Sequence, residues 1–167
     1  TFQHILTRIN FAAKLADSNY TYTVESITIT GAKGGAATYT FGGTEGKGGN
    51  WNITGSAPAS GYSYTFDNTV TAKDGIYDYT QNNNSLMLYP QSLTDAKITV
   101  KYKTEKDNAT FFNGSKEVAL TGEWTNGQSI RYILTLPVGA EKMSVNTTYD
   151  EDWNATDNEQ TPKTPVL

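Results

Sequence analysis

The feature that most constrains this chain is the alternation of apolar and polar residues with a period of two. Across residues 97–103, Ile98, Val100 and Tyr102 share one side of an extended chain, and lysines and a threonine share the other. Successive side chains of a β-strand point to opposite faces of its sheet, so this pattern predicts a strand with one buried and one solvated face. Residues 129–136 show the same alternation.

Further short strands are predicted by the same pattern, which breaks at turn-forming glycines and asparagines. The sequence contains 15 Gly and 11 Tyr, and the Tyr and Thr residues suit a pleated surface. Between Val24 and Ile27 the phase of the alternation reverses, which predicts a β-bulge near Glu25 and Ser26. About nine to eleven short strands are expected, which is typical of an all-β, antiparallel sandwich. The additional segments are residues 22–29, 37–41, 51–53, 62–66, 86–89, 118–120 and 143–149.

The first patterned segment, residues 2–15, admits two interpretations. As a strand it places Ile5, Ile9 and Phe11 on one face, and as a helix it groups Ile5, Ile9 and Ala13. We favour the strand because the alternation continues through Leu15.

The chain length and the end of the pattern suggest one domain followed by a tail. The sequence has 167 residues, which fits one domain or at most two small sandwiches. We assign residues 1–153 to the sandwich. Residues 154–167 are polar, contain Pro162 and Pro165, and are predicted to be a tail or linker.

Composition argues against several classes of protein. The net charge is −4 and the basic residues are scattered, whereas a nucleic-acid-binding surface needs a denser basic stripe. There is no cysteine, so disulfides and thiolate metal sites are excluded. No apolar run approaches the roughly 18 residues of a membrane-spanning helix. No signal peptide is visible in the sequence.

No set of residues in the sequence has the spacing of a known catalytic, cofactor or metal site. His4 is the single histidine, and no nucleophile turn accompanies it. The glycine-rich residues 42–49 lack the Lys-Ser/Thr pair and helix of a phosphate loop, so we interpret them as a hairpin loop. Asp150, Glu151 and Asp152 could bind Ca²⁺, but we favour a solvated acidic turn. We therefore predict no enzyme, no cofactor and no metal.

The tryptophans leave two functions open. Trp51, Trp124 and Trp153 are interpreted first as core residues, since aromatic residues in β-proteins commonly pack across strands. Alternatively they stack on sugars, which would make the chain a carbohydrate-binding module of an exported glycan-utilisation system. A hydrolase would require two carboxylates that converge in a cleft.

Several motifs, taken in order, resemble the fimbrillin family of Bacteroidales surface proteins. Phe2-x-His4 resembles the opening strand of the family, and residues 86–91 resemble its Leu-Pro-Gln element. Residues 98–102 resemble the strand that follows. Trp124, Gly127, Tyr132 and Leu134 resemble a Trp–Gly–Tyr-x-Tyr element, and Trp153 resembles the end of the last strand.

This resemblance implies a transthyretin-like β-sandwich that is a structural or adhesive subunit of a fimbria. It implies partners among other fimbrial subunits, a host or bacterial surface protein or glycan as a ligand, and attachment to the outer membrane through a lipidated Cys upstream of Thr1. Assembly by strand exchange is also implied, for which Val166 and Leu167 are candidate donor residues. The family's processing site follows a loop arginine. Arg8 and Arg131 both lie in predicted strands, so we expect no such site within residues 1–167.

Overall fold

The computed structural model describes residues 4–42, 46–66, 69–70, 76–80 and 84–149, with the backbone alone at 46–48, 69 and 70. These ranges contain strands and no helix, and the strand interpretation of the first segment is confirmed. The described residues hold twelve strands, one more than the upper end of the predicted range. The strands are β1 (Thr7–Leu15), β2 (Thr21–Thr30), β3 (Ala37–Gly42), β4 (Gly46–Ile53), β5 (Tyr62–Thr65), β6 (Thr69–Val70), β7 (Ile76–Asp78), β8 (Leu86–Leu88), β9 (Lys97–Lys106), β10 (Ala109–Ala119), β11 (Ser129–Leu136) and β12 (Ser144–Tyr149).

The strands form two five-stranded sheets and a separate hairpin. The first sheet has the order β12-β11-β1-β7, and β8 also pairs with β1. The second has the order β10-β9-β2-β5, and β6 also pairs with β2. Strands β3 and β4 pair only with each other in the described sheets, and we call them the β3–β4 hairpin. Every described pair is antiparallel except β1 and β11, which run parallel.

The core lies between the two sheets, as expected for a β-sandwich. Phe11 of β1 contacts Tyr64 of β5 across the interface, with ring centroids 6.1 Å apart. The Tyr102 hydroxyl, on β9, donates a hydrogen bond of 2.8 Å to the Pro137 carbonyl that follows β11. Apolar burial and buried hydrogen bonds therefore both join the layers. The fully buried core includes Ile9, Val24, Ile27, Ile29, Ile98, Val100, Leu134 and Leu136.

The predicted β-bulge is present. Along the β2–β9 ladder, Val24 pairs with Tyr102 and Ser26 with Lys101, so Glu25 has no partner of its own. One extra residue in a strand reverses which side chains face the core. This reversal lets Val24 and Ile27 both be fully buried.

The two ends of the described chain lie at one pole of the first sheet. Arg8 is in register with Ser129 of the parallel strand β11, and Tyr149 of β12 is in register with Ile130. Because neighbouring strands lie about 4.8 Å apart, residues 8 and 149 are separated by roughly 10 Å. We call this end of the sandwich the chain-end pole.

The positions of the two arginines agree with expectation. Arg8 lies in β1, and Arg131 lies in β11, where its guanidinium forms an ion pair with Asp78 of β7. Neither is in a loop. The predicted boundary at residue 153, the tail 154–167 and the acidic cluster of residues 150–152 lie outside the described residues.

Candidate functional site

The β3–β4 hairpin needs support from the rest of the protein, since an isolated two-stranded hairpin is at best marginally stable in water. Tyr39 of β3 is directly opposite Trp51 of β4, and their ring centroids are 5.1 Å apart. Trp51 is half-buried, and its Nε1 donates a hydrogen bond of 2.6 Å to the Ile5 carbonyl, just before β1. Trp51 also contacts Tyr89, with ring centroids 4.6 Å apart. Trp51 therefore anchors the hairpin to the chain-end pole.

The side-chain amides of Asn126 and Gln91 hold the hairpin and the segment before it through hydrogen bonds to the backbone. Asn126 Nδ2 donates to the Gly49 carbonyl at 2.7 Å. Gln91 accepts from the Lys33 amide at 2.7 Å and donates to the Lys33 carbonyl at 3.1 Å, so it clamps the segment between β2 and β3. These bonds connect residues far apart in the sequence: the Asn126 bond holds strand β4, and the Gln91 bonds hold the segment that leads into β3.

The glycine-rich residues 42–49 correct one sequence-based interpretation. They were expected to form a hairpin loop, but β4 begins at Gly46 and includes Gly49. A Cβ at Gly49 would lie 2.4 Å from Cζ and the hydroxyl oxygen of Tyr39 and 2.5 Å from the Thr40 carbonyl oxygen, so the backbone contact requires glycine there. Residues 43–45 lie outside the described part of the chain.

A cleft of about 280 Å³ separates the hairpin from two loops of the sandwich. Its floor is rigid because Ser92 and Glu123 form a β-bridge, and the Trp124 amide donates to the Gln91 carbonyl at 2.9 Å. The volume is just below the range of about 300–1,000 Å³ typical of small-molecule pockets. We call it the hairpin cleft; its lining residues are Gly49, Asn50, Trp51, Pro90, Gln91, Ser92, Glu123, Trp124, Thr125 and Asn126.

The polar groups of the hairpin cleft are mostly neutral. Asn50, Ser92 and Thr125 are exposed. Glu123 is also exposed and is the one charged residue in the described lining. The cleft thus combines an aromatic wall with amides, hydroxyls and a single carboxylate.

Trp124 is a core residue rather than a stacking platform. It contributes to the lining but is only 2% exposed, and its Nε1 donates a hydrogen bond of 2.8 Å to the Tyr132 hydroxyl. Burial raises the pKa of Tyr132 to about 12, and the hydrogen bond from Trp124 opposes part of this rise. A sugar cannot stack on Trp124, because the protein covers its indole. Trp153 lies outside the described residues. Of the three tryptophans predicted as sugar-stacking candidates, the described structure therefore places Trp51 alone beside accessible polar groups.

The sequence did not point to the polar residues of the hairpin cleft. Asn50, Gln91 and Glu123 come from three separated segments, and none stands in a recognisable binding motif. Gln91 does belong to the element that resembles the fimbrillin Leu-Pro-Gln sequence. His4 is exposed and lies outside the cleft lining.

A metal-binding group and a membrane-spanning helix are both missing from the described residues. They contain no group of three His, Asp or Glu residues placed to bind a metal ion. In the same ranges, no helix is sufficiently long and apolar to traverse a membrane.

Taken together, the geometry defines a two-layer β-sandwich with a docked hairpin and a small polar cleft. No family model and no curated protein matches the sequence. A crystal structure of a fimbrial protein from Bacteroides vulgatus is similar, with a TM-score of 0.60 and 18% identity over 91% of this chain. At this identity the similarity concerns the fold, and it agrees with the sandwich described above.

Two further solved structures have lower TM-scores. They are candidate cell adhesion proteins from Bacteroides uniformis, with a TM-score of 0.47 and 11% identity, and Bacteroides ovatus, with a TM-score of 0.45 and 15% identity. Each comparison covers 92% of this chain. The chain spans about half the length of the three proteins, namely 55%, 52% and 47%.

Proposed function

We propose that the protein is a non-catalytic structural or adhesive subunit of a bacterial surface fimbria. The observation that carries the proposal is the sandwich fold, shared over 91% of this chain with the fimbrial protein from Bacteroides vulgatus. The ordered sequence motifs that resemble fimbrillins support the same role. The proposal includes export to the cell surface, attachment to the outer membrane and other fimbrial subunits as partners.

Assembly by strand exchange forms part of the proposal, and the sheet edges suggest where a donated strand would bind. An exposed edge offers unpaired backbone groups to another chain, and proteins block unwanted pairing with bulges and inward-pointing charges. Strand β10 has both devices. Its register with β9 shifts at Phe111, and Lys116 lies on the core-facing side, where its Nζ donates to the Glu141 carbonyl at 3.0 Å.

Strand β12 lacks these devices. Its register with β11 is continuous from Ile130↔Tyr149 to Thr135↔Ser144, and its sequence contains no charged residue or proline. In the described sheet it is an outermost strand. A strand donated by a neighbouring subunit would extend the first sheet at this edge through main-chain hydrogen bonds. Val166 and Leu167 are the candidate pocket-filling residues of such a donor.

Electron microscopy of cells with and without the gene tests the fimbrial role. We expect loss of the protein to reduce or shorten surface fibres or to reduce adhesion, and unchanged fibres with unchanged adhesion would contradict it. Deleting residues 154–167 tests the donor role separately. We expect the shortened chain to fold with nearly unchanged stability but to polymerise less, and normal polymerisation would remove Val166 and Leu167 from the proposal.

A carbohydrate-binding module of an exported glycan-utilisation system is the alternative. The mixed aromatic and amide lining of the hairpin cleft favours it. Under this alternative, a deletion strain would keep its fibres and grow poorly on a polysaccharide. Under the fimbrial proposal, its growth would be normal.

A further inference from the structure

We infer that the hairpin cleft binds a neutral glycan, of which one sugar ring occupies the cleft. The inference rests on the proposed adhesive function, for which it names the ligand class and the residues in contact. Five observations support it: the size of the cleft, the chemistry of its walls, its charge, the pairing of its backbone and its rigidity.

The walls match the two kinds of surface on a sugar ring. A pyranose has an apolar face of C–H groups and a rim of hydroxyls, so it needs an aromatic surface flanked by hydrogen-bonding side chains. Trp51 provides the aromatic surface through the part of its indole that Tyr39 and Tyr89 leave accessible, since it is half-buried and lines the cleft. Asn50 and Glu123 provide exposed polar groups from facing sides. A cleft of about 280 Å³ suits one ring rather than an enclosed oligosaccharide.

The charge of the cleft selects against acidic sugars. Glu123 is the one charged residue in the described lining, and a carboxylate repels a sialic acid or a sulfate. A carboxylate is also an acceptor for two sugar hydroxyls, and such charge-assisted hydrogen bonds are stronger than neutral ones. A neutral hexose or N-acetylhexosamine therefore fits better than an anionic residue.

The backbone on the loop side of the cleft disfavours an extended peptide. A peptide usually binds to a sheet edge through free backbone groups. Ser92 and Glu123 already pair with each other, and Gln91 and Leu93 bond to Trp124 and Gly122. On the side formed by residues 91–93 and 122–124, recognition consequently falls to side chains, as it does for a sugar.

The cleft is also held in shape without a ligand. The Trp51 indole donates to the Ile5 carbonyl at the chain-end pole, and the Asn126 amide of one wall donates to the Gly49 carbonyl of the other. A rigid site loses less conformational entropy on binding than a mobile one. Weakening these anchors would lower affinity even without removing a sugar contact.

A glycan array provides the first test, with the full 167-residue chain as the probe. The array should carry oligosaccharides that end in neutral hexoses or N-acetylhexosamines, beside sialylated and sulfated versions of the same cores. We expect binding to at least one neutral glycan and at least tenfold weaker binding to its acidic version. Binding to no neutral glycan, or a preference for the acidic versions, overturns the inference.

Matched double variants then locate the site. Asn50→Ala with Glu123→Gln changes two exposed cleft residues, and Asn113→Ala with Glu117→Gln makes the same changes on the exposed strand β10. On the neutral glycan identified by the array, we expect the cleft variant to bind ten- to a hundredfold more weakly. The β10 variant should bind as the unchanged chain does. Equal affinities for all three proteins overturn the location.

Separate measurements distinguish a folding defect in a variant from a loss of glycan binding or of fibre formation. Thermal melting by circular dichroism should be nearly unchanged for both variants, because all four positions are exposed. Binding is measured on purified protein and fibres are measured on cells, so failure of the glycan site and failure of the fimbrial role are recognised independently.

Discussion

The buried hydrogen bond between Trp124 and Tyr132 permits a quantitative test of the core. Trp124 Nε1 donates to the Tyr132 hydroxyl at 2.8 Å, and the two residues are 2% and 3% exposed. The perturbations are Tyr132→Phe, Trp124→Phe and the double variant. Tyr132→Phe leaves the ring in place and removes the acceptor, whereas Trp124→Phe removes the donor and part of the indole.

The magnitudes follow from burial. A buried donor without an acceptor costs about 1–3 kcal/mol, so Tyr132→Phe should lower the free energy of unfolding by about 1–2 kcal/mol. Trp124→Phe also creates a cavity beside the Tyr132 hydroxyl, and should cost about 2–4 kcal/mol. Because the double variant loses the hydrogen bond once, its destabilisation should be about 1 kcal/mol smaller than the two single effects combined.

Urea unfolding followed by circular dichroism measures all four proteins. The slopes of the unfolding free energy against urea should agree, which shows that the same surface is exposed in each case. A coupling energy below about 0.3 kcal/mol would refute the reasoning, since residues that do not interact are additive within roughly this error. Trp124 and Tyr132 would then be independent core residues.

Three further predictions concern the turns, the tyrosines and an edge strand. Gly31 and Gly122 both have positive φ, but only at Gly31 would a Cβ lie 1.9 Å from a carbonyl oxygen. Gly31→Ala should therefore destabilise the protein by at least about 3 kcal/mol and Gly122→Ala by about 1 kcal/mol. Comparable urea midpoints for the two variants would contradict the clash argument. The folded-state pKa of Tyr132 is raised to about 12, so its contribution to the free energy of unfolding is complete below pH 10 and is lost as the pH rises from 10 to 12. Tyr132→Phe should therefore lose less stability than the unchanged chain in thermal melts across that interval. Identical losses in the two proteins would argue against the raised pKa. Lys116→Thr removes the core-facing charge of edge strand β10 and should promote self-association, as measured by sedimentation velocity. The control, Lys97→Thr on the interior strand β9, should not self-associate. If both variants are monomeric, Lys116 does not protect this edge.

Local features of the sandwich could be predicted because they depend on short stretches of sequence. The alternation in β9 identified Ile98, Val100 and Tyr102 as buried, and all three are inaccessible to solvent. The phase reversal located the bulge at Glu25. Both follow from the two-residue period of a strand, which holds whatever the strand pairs with.

The pairing of the strands could not be obtained in the same way. Strand β1 is parallel to β11, more than a hundred residues later, and it also pairs with β7 and β8. Alternation shows which face of a strand is buried, but it does not identify the neighbouring strand. That choice depends on the packing of the two whole sheets and on the loops that connect them.

The hairpin cleft shows the same division between sequence and tertiary structure. The sequence by itself determined an all-β chain with recurrent half-buried strands, and it left each tryptophan as either a core residue or a sugar-stacking one. Only the tertiary structure buried Trp124 beside Tyr132 and placed Trp51 near Asn50 and Glu123. The physical reason is that strand periodicity is a local property, whereas the exposure of a given indole depends on contacts between segments that meet only when the chain is folded.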